Sequence, residues 1–204
     1  MIVLAHPSSE SLDHRLAETV RAVLRQTGVR KTFHDLYAES FDPVLTADEA
    51  NADDVWDRGT SAEQVRAESA GPDPLVDRHR RELAEAKALI VIHPDWYGKP
   101  PAIFTGWLDR VLLHGSRPGE RSHPQAPALE RVLVINSVQA EADPQTVLTD
   151  PLGLLWREQL GRVLGSPKLE RLTFGPASTA DETRLGSWTN ATERATGWAC
   201  GAAR

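Results

Sequence analysis

Cysteine is almost absent from this 204-residue chain. Cys200 is the only one, so neither an internal disulfide framework nor a cysteine-built zinc site is available, and the composition fits a reducing cytoplasm. It stands near the C-terminus without a local reactive signature and reads as a small residue in a loose tail. Long apolar runs are also missing: no stretch approaches the roughly 18 residues that a membrane-spanning helix needs. Met1 leads through Ile2-Val3-Leu4-Ala5 straight into polar residues, which is not the pattern of an export signal. The expectation is a cytoplasmic protein with no membrane span. Positive charge is in deficit, with 23 Lys and Arg against 29 Asp and Glu for a net charge of -6, and no basic block offsets it. A polyanion would be repelled, so nucleic acid is excluded as a partner. The seven histidines show no H-E-x-x-H spacing, and there is no G-x-S-x-G elbow, which disfavours a metal enzyme or a serine hydrolase and leaves the metal assignment at none.

What is present is alternation. The length suits one core, residues 1–204 as a single domain. Short apolar runs alternate with helical patterns, and that order predicts an α/β fold: a five-stranded parallel sheet with helices on both faces. The strand candidates are Ile2 to Ala5, Lys31 to Leu36, Ala88 to His93, Arg131 to Ser137 and Leu169 to Phe174. The third and fourth are continuous β-rich runs, as central strands require. A first helix places Leu16, Val20, Val23 and Leu24 on one face and ends before Gly28. Another opens at Asp150-Pro151, with Asp as N-cap, and runs to Gly165. A last one is expected to start near Thr179, where Thr179 and Glu182 have capping-box spacing. The acidic segment from Thr46 to Asp73 reads as a surface excursion with partial helix.

In open parallel sheets, ligands bind beyond the carboxyl ends of the strands. The loop after the first strand, Ala5-His6-Pro7-Ser8-Ser9-Glu10-Ser11-Leu12-Asp13, brings hydroxyls to a helix N-terminus, whose free N–H groups and dipole suit an anion. Serines in that position also serve as plain caps, and both uses remain open here. Asp13 reads as a cap, because a carboxylate would repel a phosphate. The loop has no glycine, which rules out the dinucleotide fingerprint and the Walker A loop. The stretch from His93 to Val111, HPDWYGKPPAIFTGWLDRV, sets Trp96 and Tyr97 after a buried strand, with Gly98 and two prolines fixing the backbone. Such rings either bed a planar aromatic ligand or plug the end of the sheet. Trp107 lies inside the following helix and reads as core.

The segment from Trp96 through Pro100-Pro101-Ala102-Ile103 and Gly106-Trp107-Leu108-Asp109-Arg110-Val111 resembles the flavodoxin-like NAD(P)H:quinone oxidoreductases, in particular bacterial members. The first loop and the later runs Asn136-Ser137, Asp150-Pro151-Leu152, Leu155-Trp156 and Phe174-Gly175 extend the resemblance over nearly the whole chain. It implies a flavodoxin-like fold and a flavin, FAD or FMN, reduced by NADPH or NADH and reoxidised by a quinone or related aromatic acceptor. It also implies a homodimer. By position, the flavin phosphate or pyrophosphate falls to His6, Ser9, Glu10, Ser11 and Leu12. The ring falls to Pro94, Asp95, Trp96, Tyr97 and Gly98, with Trp96 and Tyr97 positioning the flavin for catalysis. Ser137, Val138 and Gln139 fall at the pyrimidine end. The chain departs from the family at Leu12, where a large aromatic is usual, at Asp13 for Asn and at Thr105 for Lys. It lacks the usual continuation after Val111, and the loop from Gln139 to Thr149 has no Tyr or His. His114 and His123 read as exposed loop residues. Asp95 would oppose flavin reduction unless it is protonated or turned away. These departures support an alternative expectation: a non-redox enzyme, a ligand-binding protein or a regulator on the same fold.

Overall fold

The computed structural model describes residues 1–46, 49, 73–112, 129–139 and 150–201. Most of the acidic excursion, the chain after Leu112 with His114 and His123, and most of the loop after Gln139 lie outside the described residues. The strands are β1 (Ile2–Leu4), β2 (Phe33–Asp35), β3 (Ala88–Pro94), β4 (Arg131–Ser137) and β5 (Lys168–Phe174). All neighbours pair in parallel, in the order β2-β1-β3-β4-β5. The five expected strands are therefore present, with ends shifted by a residue or two. The second is the most trimmed, three residues rather than six, because it pairs on one side only and with the three residues of β1.

The period-two alternation of strand side chains divides the core into two layers. Val3, Ala5, Leu89, Val91, Val132 and Val134 point to one face, Ile2, Leu4, Ile90, Ile92, Leu133 and Ile135 to the other. Against the second face pack α1 (Leu12–Gln26), through Leu16, Ala17, Val20 and Leu24, and the last helix, through Trp188, Ala195 and Ala199. Against the first pack α2 (Pro74–Ala84), α3 (Ala102–Trp107) with its π-helical continuation Leu108–Leu112, and the helix that opens at Pro151. The latter comprises α4 (Pro151–Leu154), a π-helical stretch Leu155–Leu160 and α5 (Gly161–Val163). Each fully buried Leu, Ile or Val side chain contributes about 1.5–3 kcal/mol of transfer free energy. Trp107 is wholly buried, as expected for a core residue. No helix among the described residues is long and apolar enough to cross a membrane.

The capping chemistry differs in two places from the sequence expectation. Ser11, not Asp13, is the N-cap of α1, its hydroxyl accepting from the His14 N–H. Asp13 lies in the first turn, two residues past that cap, and its side chain points into the protein. At the C-terminal end, α6 (Glu182–Ala199) is capped by Asp181, whose carboxylate accepts from the Arg184 N–H. Thr179 instead ends a short 3-10 turn, Ala177–Thr179. Asp-x-x-Arg is a less familiar signature than the Thr-Glu capping box, but one carboxylate on a first-turn N–H does the same work. Asp150 caps α4 as expected, accepting from the Gly153 N–H at 2.9 Å. Cys200 is not in a loose tail: it is half-buried at the C-cap of α6 and packs against the second core layer.

Candidate active site

In the order β2-β1-β3-β4-β5 the winding direction reverses between β1 and β3, and the crevice at that point lies between the loops that follow these two strands. The first loop turns tightly on its own side chains. The Ser8 N–H donates to His6 Nδ1 at 3.0 Å, and the Ser11 N–H to the Ser8 carbonyl at 3.2 Å. Ser11 Oγ stands 3.1 Å from His14 Nδ1, and His14 Nε2 is 3.0 Å from the Asp35 carboxylate at the end of β2. Ser8, Ser9 and Glu10 are exposed, while His6, Ser11 and Leu12 are half-buried. The loop therefore presents hydroxyls and backbone N–H groups at the N-terminus of a 15-residue helix, with two imidazoles beside them.

The second loop is a tight turn at the end of β3. The Trp96 N–H donates to the Lys99 carbonyl at 2.9 Å, and Asp95 Oδ1 accepts from the Gly98 N–H at 2.7 Å. Tyr97 and Gly98 both adopt left-handed backbone conformations, with φ of 59° and 78°. Strain of this kind in a bulky residue persists only where the surroundings impose it, and it is common at ligand sites. The Tyr97 ring is 100% exposed, so it does not plug the sheet, and one of the two uses open to it from sequence is removed. Trp96 is half-buried, its ring centroid 6.2 Å from that of His6 in an edge-to-face arrangement. The two loops singled out from the sequence are thus adjacent in space.

The fourth-strand residues are partly committed elsewhere. The Val138 N–H donates to the Phe174 carbonyl at 2.9 Å and its carbonyl accepts from the Ala177 N–H at 3.0 Å, so its backbone polar groups belong to the β5 side. The Ser137 hydroxyl donates to Asp13 Oδ2 at 2.7 Å. Gln139 is exposed. The sequence gives no hint of the Asp13–Ser137 pairing, which joins positions 124 residues apart. Asp13 is 1% exposed, its Oδ1 has no hydrogen-bond partner, and burial raises its pKa against the opposing effects of the Ser137 bond, His6 and His14.

Arg171 was also not picked out. Its guanidinium donates from Nε to Asn136 Oδ1 at 2.7 Å, from Nη1 to the Asp150 carboxylate, and its Nη2 lies 3.6 Å from Asp95 Oδ2. Asp95 is therefore partnered on both oxygens, by Gly98 and by Arg171. A charged residue within a strand pattern was the available signal. Behind the loop after β3, His93 is fully buried, stacks on Phe104 at 4.9 Å, and is held neutral by burial, its pKa pushed down to about 4 against the opposing hydrogen bond to the Pro94 carbonyl.

Folding assembles one cluster that linear spacing could not reveal. His34 on β2, Glu39 after it and His79 on α2 bring potential ligand atoms within 4.8 Å of one another. The hydrogen bonds argue for a different use. Trp107 Nε1 donates to His79 Nδ1 at 3.0 Å, which assigns the ring proton to Nε2, and Nε2 donates to Glu39 Oε2 at 3.0 Å. A metal on Nε2 would move that proton to Nδ1, against the Trp107 donor. His34 spans Glu39 at 3.1 Å and Glu82 at 2.7 Å. The donor set is that of a structural network clamping β2 to α2 and α3.

A flavin is the group that the resemblance implies, and the exposed hydroxyls and N–H groups of the first loop fit a phosphate tail while the Trp96-Tyr97 turn fits a ring. Residues 1–153 match the family described as flavodoxin-like fold. The chain belongs to that family. Among its relatives, an uncharacterized NAD(P)H oxidoreductase of Haemophilus influenzae is 31% identical over 118 residues, covering 56% of this chain and 50% of that protein. The guinea pig (Cavia porcellus) NAD(P)H dehydrogenase [quinone] 1 is 26% identical over 212 residues, covering 97% of this chain and 74% of that protein. Against the Haemophilus influenzae and Escherichia coli relatives the match spans only about half of their length, 50% and 55%. Among solved structures, the flavodoxin-like chain resembles an NAD(P)H:quinone oxidoreductase from Methanothermobacter marburgensis with TM-score 0.74 at 23% identity, covering 96% of this chain and 92% of that one. It also resembles an FMN-dependent NADH-azoreductase from Bacillus anthracis in complex with FMN, with TM-score 0.69 at 14% identity and 96% coverage of both chains. At these identities the structural likeness is one of fold.

Proposed function

We propose that this protein is a flavin-dependent NAD(P)H oxidoreductase that passes hydride from a nicotinamide through bound FMN or FAD to a quinone or related aromatic acceptor, working as a homodimer with residues 1–204 as one domain. The observation that carries the reading is the 6.2 Å approach of His6 and Trp96, which sets an anion-binding helix terminus beside an aromatic turn at the topological switch point. When bound, the flavin supplies the hydride acceptor and donor.

The chain's own residues bind and orient. The Ser9 and Ser11 hydroxyls, with the Leu12 N–H, take the phosphate, and the positive end of α1 lowers the cost of its charge. His6 closes that loop beside the ring turn, where its imidazole adds a donor. Trp96 and the open face of Tyr97 bed the ring, with Pro94, Asp95 and Gly98 fixing the turn beneath them. Ser137, Val138 and Gln139 border the opposite edge through side chains, because the Val138 backbone is already bonded. Asp95 is turned to Gly98 and Arg171, so its charge is offset before any ligand arrives. Hydride transfer between stacked rings needs orientation and exclusion of water more than an acid-base pair, and the site provides the former.

The buried carboxyl of Asp13 favours the second reading, a non-redox enzyme, ligand-binding protein or regulator on the same fold, because an acidic side chain with one unpartnered oxygen stands behind the loop that would hold a phosphate. The visible spectrum of the purified protein, with and without added FMN or FAD, separates the two. A flavin band bleached by NADPH or NADH under anaerobic conditions supports the oxidoreductase. A colourless protein that binds neither flavin overturns it and leaves the second reading.

A further inference from the structure

Arg171 touches three of the segments gathered at the carboxyl ends of the strands. From β5 it reaches Asn136 on β4, Asp150 at the N-cap of α4 and Asp95 in the ring turn. These contacts feed further ones. Asn136 Nδ2 donates to the His93 carbonyl at 2.9 Å, just before the turn. Asp150 opens α4, whose Pro151 lies so close to Gly98 that a Cβ built there would come 2.5 Å from its Cγ. Arg171 thus bears on the ring turn directly through Asp95 and indirectly through Asn136 and Pro151.

The guanidinium is 13% exposed and Asp95 15%, so their attraction is little screened by water. Three nitrogens in one rigid plane face three different residues, which an ammonium on a flexible stem cannot reproduce. Without the arginine, Asp95 would keep its charge beside a site meant for a ring that becomes anionic on reduction.

We propose that Arg171 is the positioning residue of the ring turn, holding Asp95 through Gly98 in place and offsetting part of the Asp95 charge, a charge it also shares with Asp150, so that the reduced form of a bound flavin is tolerated. This rests on the flavin reading above. It separates two effects, one geometric and one electrostatic, that substitutions can divide.

The test is to measure FMN affinity, the midpoint potential of bound FMN and the melting temperature in the full chain. Arg171→Gln is expected to weaken FMN binding about tenfold and to lower the potential by about 30 mV, the equivalent of a tenfold loss of preference for reduced over oxidised flavin in a two-electron couple. Arg171→Lys keeps the charge but not the fork, so affinity falls while the potential stays near that of the parent. Asp95→Asn in the Arg171→Gln background returns the potential without restoring the affinity. Asp95→Asn alone raises the potential and carries the test if the Arg171 variants do not fold. A merely structural arginine would lower the melting temperature and leave the potential of Arg171→Gln at that of the parent, and that result overturns the assignment while the flavin reading stands. If the parent protein binds no FMN or FAD, the flavin reading falls and the assignment with it.

Discussion

The Ser137 hydroxyl donates to the Asp13 carboxylate at 2.7 Å, tying the end of β4 to the first turn of α1 behind the loop that follows β1. Only one carboxylate oxygen is served; Oδ1 is buried without a partner.

Asp13→Asn therefore tests the cost of that charge. Burial raises the carboxyl's pKa above its ordinary 3.8, so the folded chain binds the proton more tightly than the unfolded chain. The stabilising contribution is complete below 3.8 and is lost as pH rises through the folded value. The variant is expected to be more stable than the parent by about 1–3 kcal/mol at neutral pH, with the difference shrinking on acidification. Thermal unfolding of both proteins across pH checks this; parallel curves would sink it.

The left-handed pair Tyr97–Gly98 leads to a second expectation. Gly98→Ala meets two penalties, a φ of 78° and a Cβ only 2.5 Å from Pro151 Cγ, both of which strain the ring turn. A loss of about 1–3 kcal/mol in folding stability is expected, together with weaker FMN binding. Urea unfolding with fluorescence titration reads both. Gly28→Ala is the control for backbone strain alone, since its φ is 68° with nothing within 4 Å of the added Cβ.

The architecture was legible because its signals are local. The runs at 89–92 and 132–135 are apolar throughout, which only a strand covered on both faces requires, and Asp150-Pro151 announces a helix start chemically. The ring loop was legible for the same reason: aromatics, glycine and prolines stand side by side in the chain. What sequence could not supply was pairing at a distance. Asp13 looked like a cap because a carboxylate near a helix start usually is one, and only the fold brings Ser137 to it. Arg171 carries no local mark of its contacts in the chain, because its partners Asn136, Asp150 and Asp95 come from three other segments. The His34, Glu39 and His79 cluster joins β2, the turn after it and α2, with no spacing to mark it.

Trp96 and Tyr97 should separate on substitution. Tyr97 is fully exposed, so Tyr97→Ala is expected to leave the melting temperature unchanged while weakening FMN binding about two- to tenfold, the scale of one aromatic contact. Trp96→Ala removes the ring next to His6 and should lower both the affinity and the melting temperature. The informative measurement is isothermal titration beside differential scanning calorimetry. If Tyr97→Ala binds FMN as tightly as the parent, the ring does not rest on that side chain.

The network around Glu39 sets the acid limit of the fold. Burial pushes the Glu39 carboxyl upward, but hydrogen bonds from His34 and His79 overcome it and hold the pKa at about 2, below the ordinary 4.5. A depressed carboxylate stabilises the fold fully above its unfolded value and loses that contribution as pH falls through the folded one, here from 4.5 to about 2. His93 acts in a higher window: neutral in the core at about 4 against an ordinary 6.5, it resists folding once it must charge, so stability drains as pH falls from 6.5 through about 4. Acid unfolding should therefore begin with His93 and steepen with Glu39. Glu39→Gln is expected to cost about 1–3 kcal/mol at neutral pH and to flatten the lower part of the profile. Trp107→Phe should cost a similar amount by orphaning His79 Nδ1, but should leave the Glu39 window in place. Circular dichroism melts across the acid range distinguish these patterns. If Glu39→Gln unfolds in acid along the parent's curve, the carboxylate is not the group that governs it.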